Sequence, residues 1–208
     1  ECGAMNAERK ESNLIHSSRI THHASLPGVF ITGTDTGVGK TLVAAALARC
    51  LDQEGIKVGV MKPVETGSGA GSVIPSDAER LKASIGCADP LDLISPYRLP
   101  APLAPLAAAR QAGVAIAVER IMASFETLAA RYEFLVVEGV GGVMVPIADR
   151  LDVRDLISRL GLPALIVGRT TLGGVNHALL TVEALRQRDI AIAGIILNRS
   201  AARPAASA

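Results

Sequence analysis

From Gly28 onward, short apolar runs alternate with longer stretches in which apolar residues return every three or four positions. Val29–Thr32 reads as a strand. Thr41–Glu54, Ala-rich with a helical period and stopped by Gly55, reads as the helix that follows. Lys57–Met61 is a second strand, ended by Pro63, and Thr66–Pro75 is a Gly/Ser loop. Ser76-Asp77-Ala78-Glu79 has the form of a capping box and opens a helix to about Ile85. Asp89–Pro105 holds five prolines and is expected to be irregular or turn-rich. Val118–Tyr132 is an amphipathic helix, and the continuous apolar run Phe134–Val137 suits a buried parallel strand. Val143–Ile147 is a further apolar segment. Asp152–Leu160 (helix), Ala164–Val167 (buried strand), Val175–Gln187 (helix) and Ile190–Leu197 (strand) complete the pattern. Strands alternating with helices predict a three-layer α/β fold with a mainly parallel sheet. No internal repeat is visible.

The ends differ from this pattern. Residues 1–27 are polar and aperiodic, and hold His16, His22 and His23 without the apolar stretch of a secretory signal. They are expected to form a flexible tail, with Ala201–Ala208 a second, low-complexity tail and residues 28–200 a single domain. The length of 208 residues fits one domain.

Composition then removes several classes of function. Apolar residues are 49% of the chain, which excludes general disorder. The charges, 21 basic and 20 acidic, leave no broad basic field for nucleic acid, and 2% aromatic residues offer no stacking platform for single strands. Apolar runs such as Ala115–Val118 and Ala193–Leu197 are far short of the ~18 residues of a membrane helix. Cys2, Cys50 and Cys87 are odd in number and scattered, as in a reduced cytoplasmic protein, and mark no zinc site.

The strongest chemical signal is Gly33-Thr34-Asp35-Thr36-Gly37-Val38-Gly39-Lys40-Thr41, a Gly-rich turn between a strand and a helix. This is the context of a P-loop, with its first glycine one residue earlier than in the standard spacing. Backbone N–H groups there can face phosphate oxygens, and the helix N-terminus adds favourable potential. Lys40 would reach the β- and γ-phosphates, and the Thr41 hydroxyl would ligate Mg²⁺. Lys62 ends the second strand, at the edge of a parallel sheet where ligands collect. Asp77 lies inside the capping box, so helix capping and Mg²⁺ ligation are both open for it. Glu138 follows an apolar strand and precedes Gly139-Val140-Gly141-Gly142, the position of a Walker-B carboxylate. Leu172-Gly173-Gly174-Val175-Asn176-His177 is a second Gly-rich turn into a helix that could bind a carboxylate, while His177 reads as structural.

These motifs, with Lys62-Pro63-Val64 and Ser76-Asp77-Ala78 in the same order, resemble the dethiobiotin synthetases over about Gly28 to Arg199. The resemblance implies a P-loop NTPase-like fold and an ATP-dependent ring closure of 7,8-diaminopelargonic acid with CO₂. It implies Mg²⁺ as cofactor and a cytoplasmic homodimer with sites at the interface. By the same resemblance, Thr34 to Thr41, Glu138 and Asn198 bind the nucleotide, with Asn198 at the base. Lys40, Lys62 and Thr36 are catalytic, and Thr41, Asp77 and Glu138 hold Mg²⁺. Lys62 and Thr66 bind the substrate, and Leu172, Gly173, Gly174 and Asn176 bind its carboxylate from the partner subunit. Gly37 stands where some members carry Glu. Members also continue past the strand before Asn198 with a segment that walls the base, where this sequence has Ala201–Ala208. A cobyrinate-type synthetase would need a glutaminase domain with a catalytic cysteine, and no cysteine here has that setting. A partition-type ATPase would carry a second lysine where Asp35 stands. A degenerate, inactive P-loop domain is the third alternative.

Overall fold

The computed structural model describes residues 28–68 and 74–199. The two expected tails, the first with its histidines, lie outside the described residues, as do positions 69–73 of the Gly/Ser loop.

The central sheet has five parallel strands in the order β2-β5-β1-β8-β9. They are β1 (Gly28–Gly33), β2 (Val58–Met61), β5 (Phe134–Gly142), β8 (Ala164–Arg169) and β9 (Ile192–Asn198). Side chains alternate across the sheet with a period of two, so β1, β2, β5 and β8 each feed two separate cores, while the edge strand β9 leaves Ile195, Ile196 and Leu197 exposed. Val29, Ile31, Val58, Val60, Val136 and Val167 face α1 (Lys40–Gln53) and α2 (Asp77–Ser84) through Ala44, Ala48, Ala78 and Leu81. Phe30, Met61, Leu135, Val137, Ala164 and Ile166 face the other way. They meet α5 (Val118–Ala129), α6 (Val153–Leu160) and α7 (Gly174–Arg186) through Ile121, Phe125, Leu156, Ile157, Val182 and Leu185. Two helical layers therefore enclose the first four strands in the order β2-β5-β1-β8, apolar on both faces as buried parallel strands require.

The proline-rich stretch is more ordered than its composition suggests. It holds a short helix α3 (Leu91–Ile94), a strand β4 (Tyr97–Leu99) paired in parallel with β3 (Val64–Thr66), and the start of α4 (Pro105–Gln111). Pro105 occupies the first turn of α4, where a missing N–H is harmless. The segment Val143–Ile147 runs through a turn into β6 (Pro146–Ala148), which pairs with β7 (Leu151–Asp152). Asp152 then caps α6 in a reciprocal box with Asp155.

With strands in this order the chain leaves β1 toward β2 on one side and reaches β8 on the other. A crevice opens above the carboxyl end of β1, the usual ligand position in such sheets.

Candidate active site

Five segments converge on this edge. The Gly-rich loop follows β1, Lys62 follows β2, Glu138 lies within β5, Arg169 ends β8 and Asn198 ends β9. Gly37 and Gly39 have φ of 70° and 101°, a left-handed backbone that favours glycine. A Cβ at Gly39 would also run into the Asn198 amide. Gly39 opens α1 without any side-chain cap, and no acidic residue occupies the first turn. The α1 N-terminus thus offers unclaimed N–H groups and positive potential to an anion.

The loop is held from several sides. Lys40 Nζ donates to the Asp35 carbonyl at 2.9 Å. The Asn198 amide donates to the Val38 carbonyl at 2.9 Å. Arg169 Nη2 donates to the Thr36 carbonyl at 2.7 Å and lies 3.6 Å from the Asp35 carboxylate. The Thr34 N–H continues the sheet to the Val167 carbonyl, and the Thr36 N–H is taken by the Asp35 side chain at 2.7 Å. Burial and the nearby Lys62 charge push the Lys40 ammonium down to about 8, against the pull of Glu138, Asp77 and Asp35.

Beside Lys40 lies a buried charge cluster. Lys62 Nζ is 2.6 Å from Glu138 Oε1, 3.2 Å from Asp77 Oδ2 and 3.1 Å from the Gly139 carbonyl, so each of its three protons has an acceptor. Burial alone would push Lys62 down, but Glu138 and Asp77 outweigh it and hold the ammonium above its ordinary range. Burial pushes Asp77 up, and Lys62 with the Thr41 hydroxyl more than reverses this. Thr41 Oγ1 donates to Glu138 Oε1 at 2.9 Å, while Glu138 Oε2 is buried with no hydrogen-bond partner. Such an orphaned carboxylate oxygen beside a hydroxyl and a second carboxylate suits a hard cation. Among the described residues no three of His, Cys, Asp and Glu form a complete metal cage. That is the usual situation for Mg²⁺, which a protein holds by one or two carboxylates with phosphate oxygens and water supplying the rest.

These groups line an open cleft of about 1400 Å³, which also includes Thr36, Thr66, Ser68, Arg80 and Arg98. Thr34, Asp35, Val38 and Asn198, expected at the nucleotide, are not among the residues that line this cleft. Leu172, Gly173, Gly174 and Asn176 do not line the cleft. They stand at the start of α7, whose N-terminus carries no side-chain cap, and Leu172 and Asn176 are exposed.

Two functional neighbours escape sequence reasoning. Arg169, which braces the loop, is 133 residues from its acceptor Thr36. Glu65 is buried in β3 and accepts from the N–H groups of Asp77 at 2.5 Å and Ala78 at 3.4 Å. Burial and the Asp77 charge raise its carboxyl above the ordinary range, against those two hydrogen bonds. No local spacing signals either contact.

Among solved structures, the chain is similar to the kinase domain of the Escherichia coli tyrosine kinase ETK (TM-score 0.53, 17% identity, 88% of this chain and 71% of that one). It is also similar to a ParA family ATPase from Chlorobium tepidum (TM-score 0.51, 19% identity, 84% and 75%). At these identities the likeness shows the P-loop fold alone. Residues 27–207 match a family model described as an AAA domain. Curated relatives are much nearer in sequence. The ATP-dependent dethiobiotin synthetase BioD of Anaeromyxobacter dehalogenans is 51% identical over 173 residues, 83% of this chain and 77% of the relative. Those of Thermodesulfovibrio yellowstonii (48%, covering 83% and 76%) and Methanocaldococcus jannaschii (45%, covering 82% and 78%) agree. The crevice of Lys40, Thr41, Lys62, Asp77 and Glu138 therefore sits in a chain that belongs to the dethiobiotin synthetase family.

Proposed function

We propose that this crevice forms dethiobiotin, the ATP-dependent product for which the family is named, from 7,8-diaminopelargonic acid and CO₂. One amine adds to CO₂ and loses a proton, giving an N-carbamate. A carbamate oxygen attacks the γ-phosphorus of ATP, forming a carbamic–phosphoric anhydride and releasing ADP. The second amine attacks the carbamoyl carbon, the C–O bond to phosphate breaks, and loss of a proton leaves the cyclic urea and inorganic phosphate.

The observation that carries this reading is the pairing of an uncapped α1 N-terminus with two adjacent buried lysines. Phosphoryl transfer needs positioning and charge neutralisation more than a covalent nucleophile. The loop amides and Lys40 hold the polyphosphate. Lys62, which follows β2 on the far side of β5 from the loop, holds the carbamate and the charge that develops on it. Thr36 faces the cleft where phosphate and carbamate meet, Thr66 lies on the substrate side, and Asn198 stands at the nucleotide end. Thr41, Asp77 and Glu138 would hold Mg²⁺, which when bound supplies charge to the β- and γ-phosphates. That reaction is a ligase reaction, and the expected compartment is the cytoplasm.

The order of bond making has an isotopic signature. With ¹⁸O-labelled bicarbonate and a short reaction time, the phosphate released should carry one labelled oxygen. Unlabelled phosphate would remove the anhydride from the scheme.

The open turn Leu172–Asn176 lies outside its own cleft, on a face where Leu172, Val175 and Leu179 are exposed. A second copy packed on that face would bury these side chains and bring the α7 N-terminus to the substrate carboxylate of its neighbour. In this homodimer, Leu179→Glu should shift sedimentation from dimer to monomer mass and raise KM for diaminopelargonate roughly tenfold or more, the loss of about one charged hydrogen bond. A dimer with an unchanged KM would separate this turn from the substrate.

A further inference from the structure

The start of α2 differs from the start of α1 in one respect. All four of its leading N–H groups are already taken by the protein's own oxygens. Glu79 accepts from Ser76 at 2.7 Å and the Ser76 hydroxyl accepts from Glu79 at 3.2 Å, closing the capping box. Glu65 accepts the two between them, from Asp77 and Ala78. The box lies wholly within the start of α2 and sets no position relative to the sheet. Glu65 comes from β3, three residues after Lys62, and is itself 5% exposed. It ties the helix end to the strand that follows Lys62.

The residue it grips is informative. Asp77 gives its N–H to Glu65, while its own carboxylate meets Lys62 at 3.2 Å. Further along, α2 is held by the packing of Ala78 and Leu81 and, in its last turn, by Lys82, which donates to the Asp89 carbonyl at 2.6 Å; Glu65 is the contact that fixes the first turn against the strand after Lys62. We infer that Glu65 is a positioning residue: it clamps the first turn of α2 so that the Asp77 carboxylate stands beside Lys62, Thr41 and Glu138. This rests on the Mg-ATP reading above. Glu65 lines the cleft beside Asp77, and in this role it acts through Asp77.

Two variants separate position from charge. Glu65→Asp keeps the charge but shortens the reach by one methylene. Glu65→Gln keeps the reach and one acceptor oxygen but removes the charge. The primary readout is ADP affinity by calorimetry, with and without Mg²⁺, on the whole chain. Glu65→Asp should leave metal-free ADP affinity unchanged and cut the gain from Mg²⁺ about tenfold, with kcat falling roughly ten- to a hundredfold, as expected for a misplaced group. Glu65→Gln should stay within about threefold of wild type in both. In an Asp77→Asn background, Glu65→Asp should add less than about twofold, because its route is already cut. An intact Mg²⁺ gain in Glu65→Asp overturns the clamp. So does a loss confined to Glu65→Gln, or an undiminished loss on top of Asp77→Asn. Wild-type protein that gains ADP affinity from Mg²⁺ but makes no dethiobiotin would instead defeat the assignment of the reaction while leaving the clamp readable.

Discussion

Lys40→Ala should lower turnover by about two to three orders of magnitude, the usual effect of deleting one preorganised charge from a site of developing negative charge. Lys40 is nearly buried, and its ammonium already reaches into the mouth of the loop, 2.9 Å from the Asp35 carbonyl. Desolvation by the surrounding chain and the neighbouring Lys62 make a lone ammonium there uncomfortable. An incoming polyphosphate relieves both effects. The stabilisation is therefore greatest when negative charge is densest, as phosphoryl transfer proceeds. The loop glycines and the α1 N-terminus remain in the variant, so nucleotide binding should weaken far less than turnover. The melting temperature should hardly move, since in the free protein Lys40 is hydrogen-bonded to a carbonyl of its own loop. Steady-state phosphate release and nucleotide titration check both halves. A variant with turnover within tenfold of wild type would remove Lys40 from the chemistry.

Lys62→Ala should behave differently, and the contrast is diagnostic. Lys62 is 3% exposed and lies between Glu138, which is fully buried, and Asp77. Removing it leaves two carboxylates facing each other with no cation between them. Breaking a buried pair by deleting one partner costs about 3–5 kcal/mol. The part-exposed Asp77 places this case toward the lower end of that range. The unliganded variant should therefore melt well below wild type, by some 5–10 °C for a chain of this size. Turnover should fall on the same scale as for Lys40→Ala. Nucleotide affinity should stay near wild type, because Lys62 follows β2 and is not part of the loop. Thermal melts, nucleotide titration and turnover on the same preparation test this together. Unchanged stability would contradict the ion-pair account, and lost nucleotide binding would contradict the role given to Lys62.

The features most legible in the sequence were those with a local cause. The buried strands announce themselves as short apolar runs because a parallel sheet hides both faces. The P-loop is legible because phosphate binding demands left-handed backbone at fixed spacing, and Gly37 and Gly39 supply it. The capping box at Ser76–Glu79 is legible because its partners are three residues apart. What stayed hidden depends on distant parts of the chain. The stretch after Asp89 reads as irregular by its prolines, yet pairing with β3 organises Tyr97–Leu99 and Pro105 begins a helix instead of breaking one. Glu65 meets an amide twelve residues away across the Gly/Ser loop, and Arg169 meets Thr36 from the end of the neighbouring strand β8, 133 residues along the chain. Asp77 shows the boundary best. Its place in a capping box is visible in four letters, but its contact with Lys62 exists only once β2 and α2 are folded together.

The central claim is that one crevice couples ATP cleavage to closure of a urea ring. It is tested most directly by measuring phosphate release from Mg-ATP with diaminopelargonate and bicarbonate each present or omitted, and following the organic product by mass. The account predicts release only when both are present, with one dethiobiotin formed per phosphate. Release that ignores either substrate, or proceeds without the new product, would contradict it.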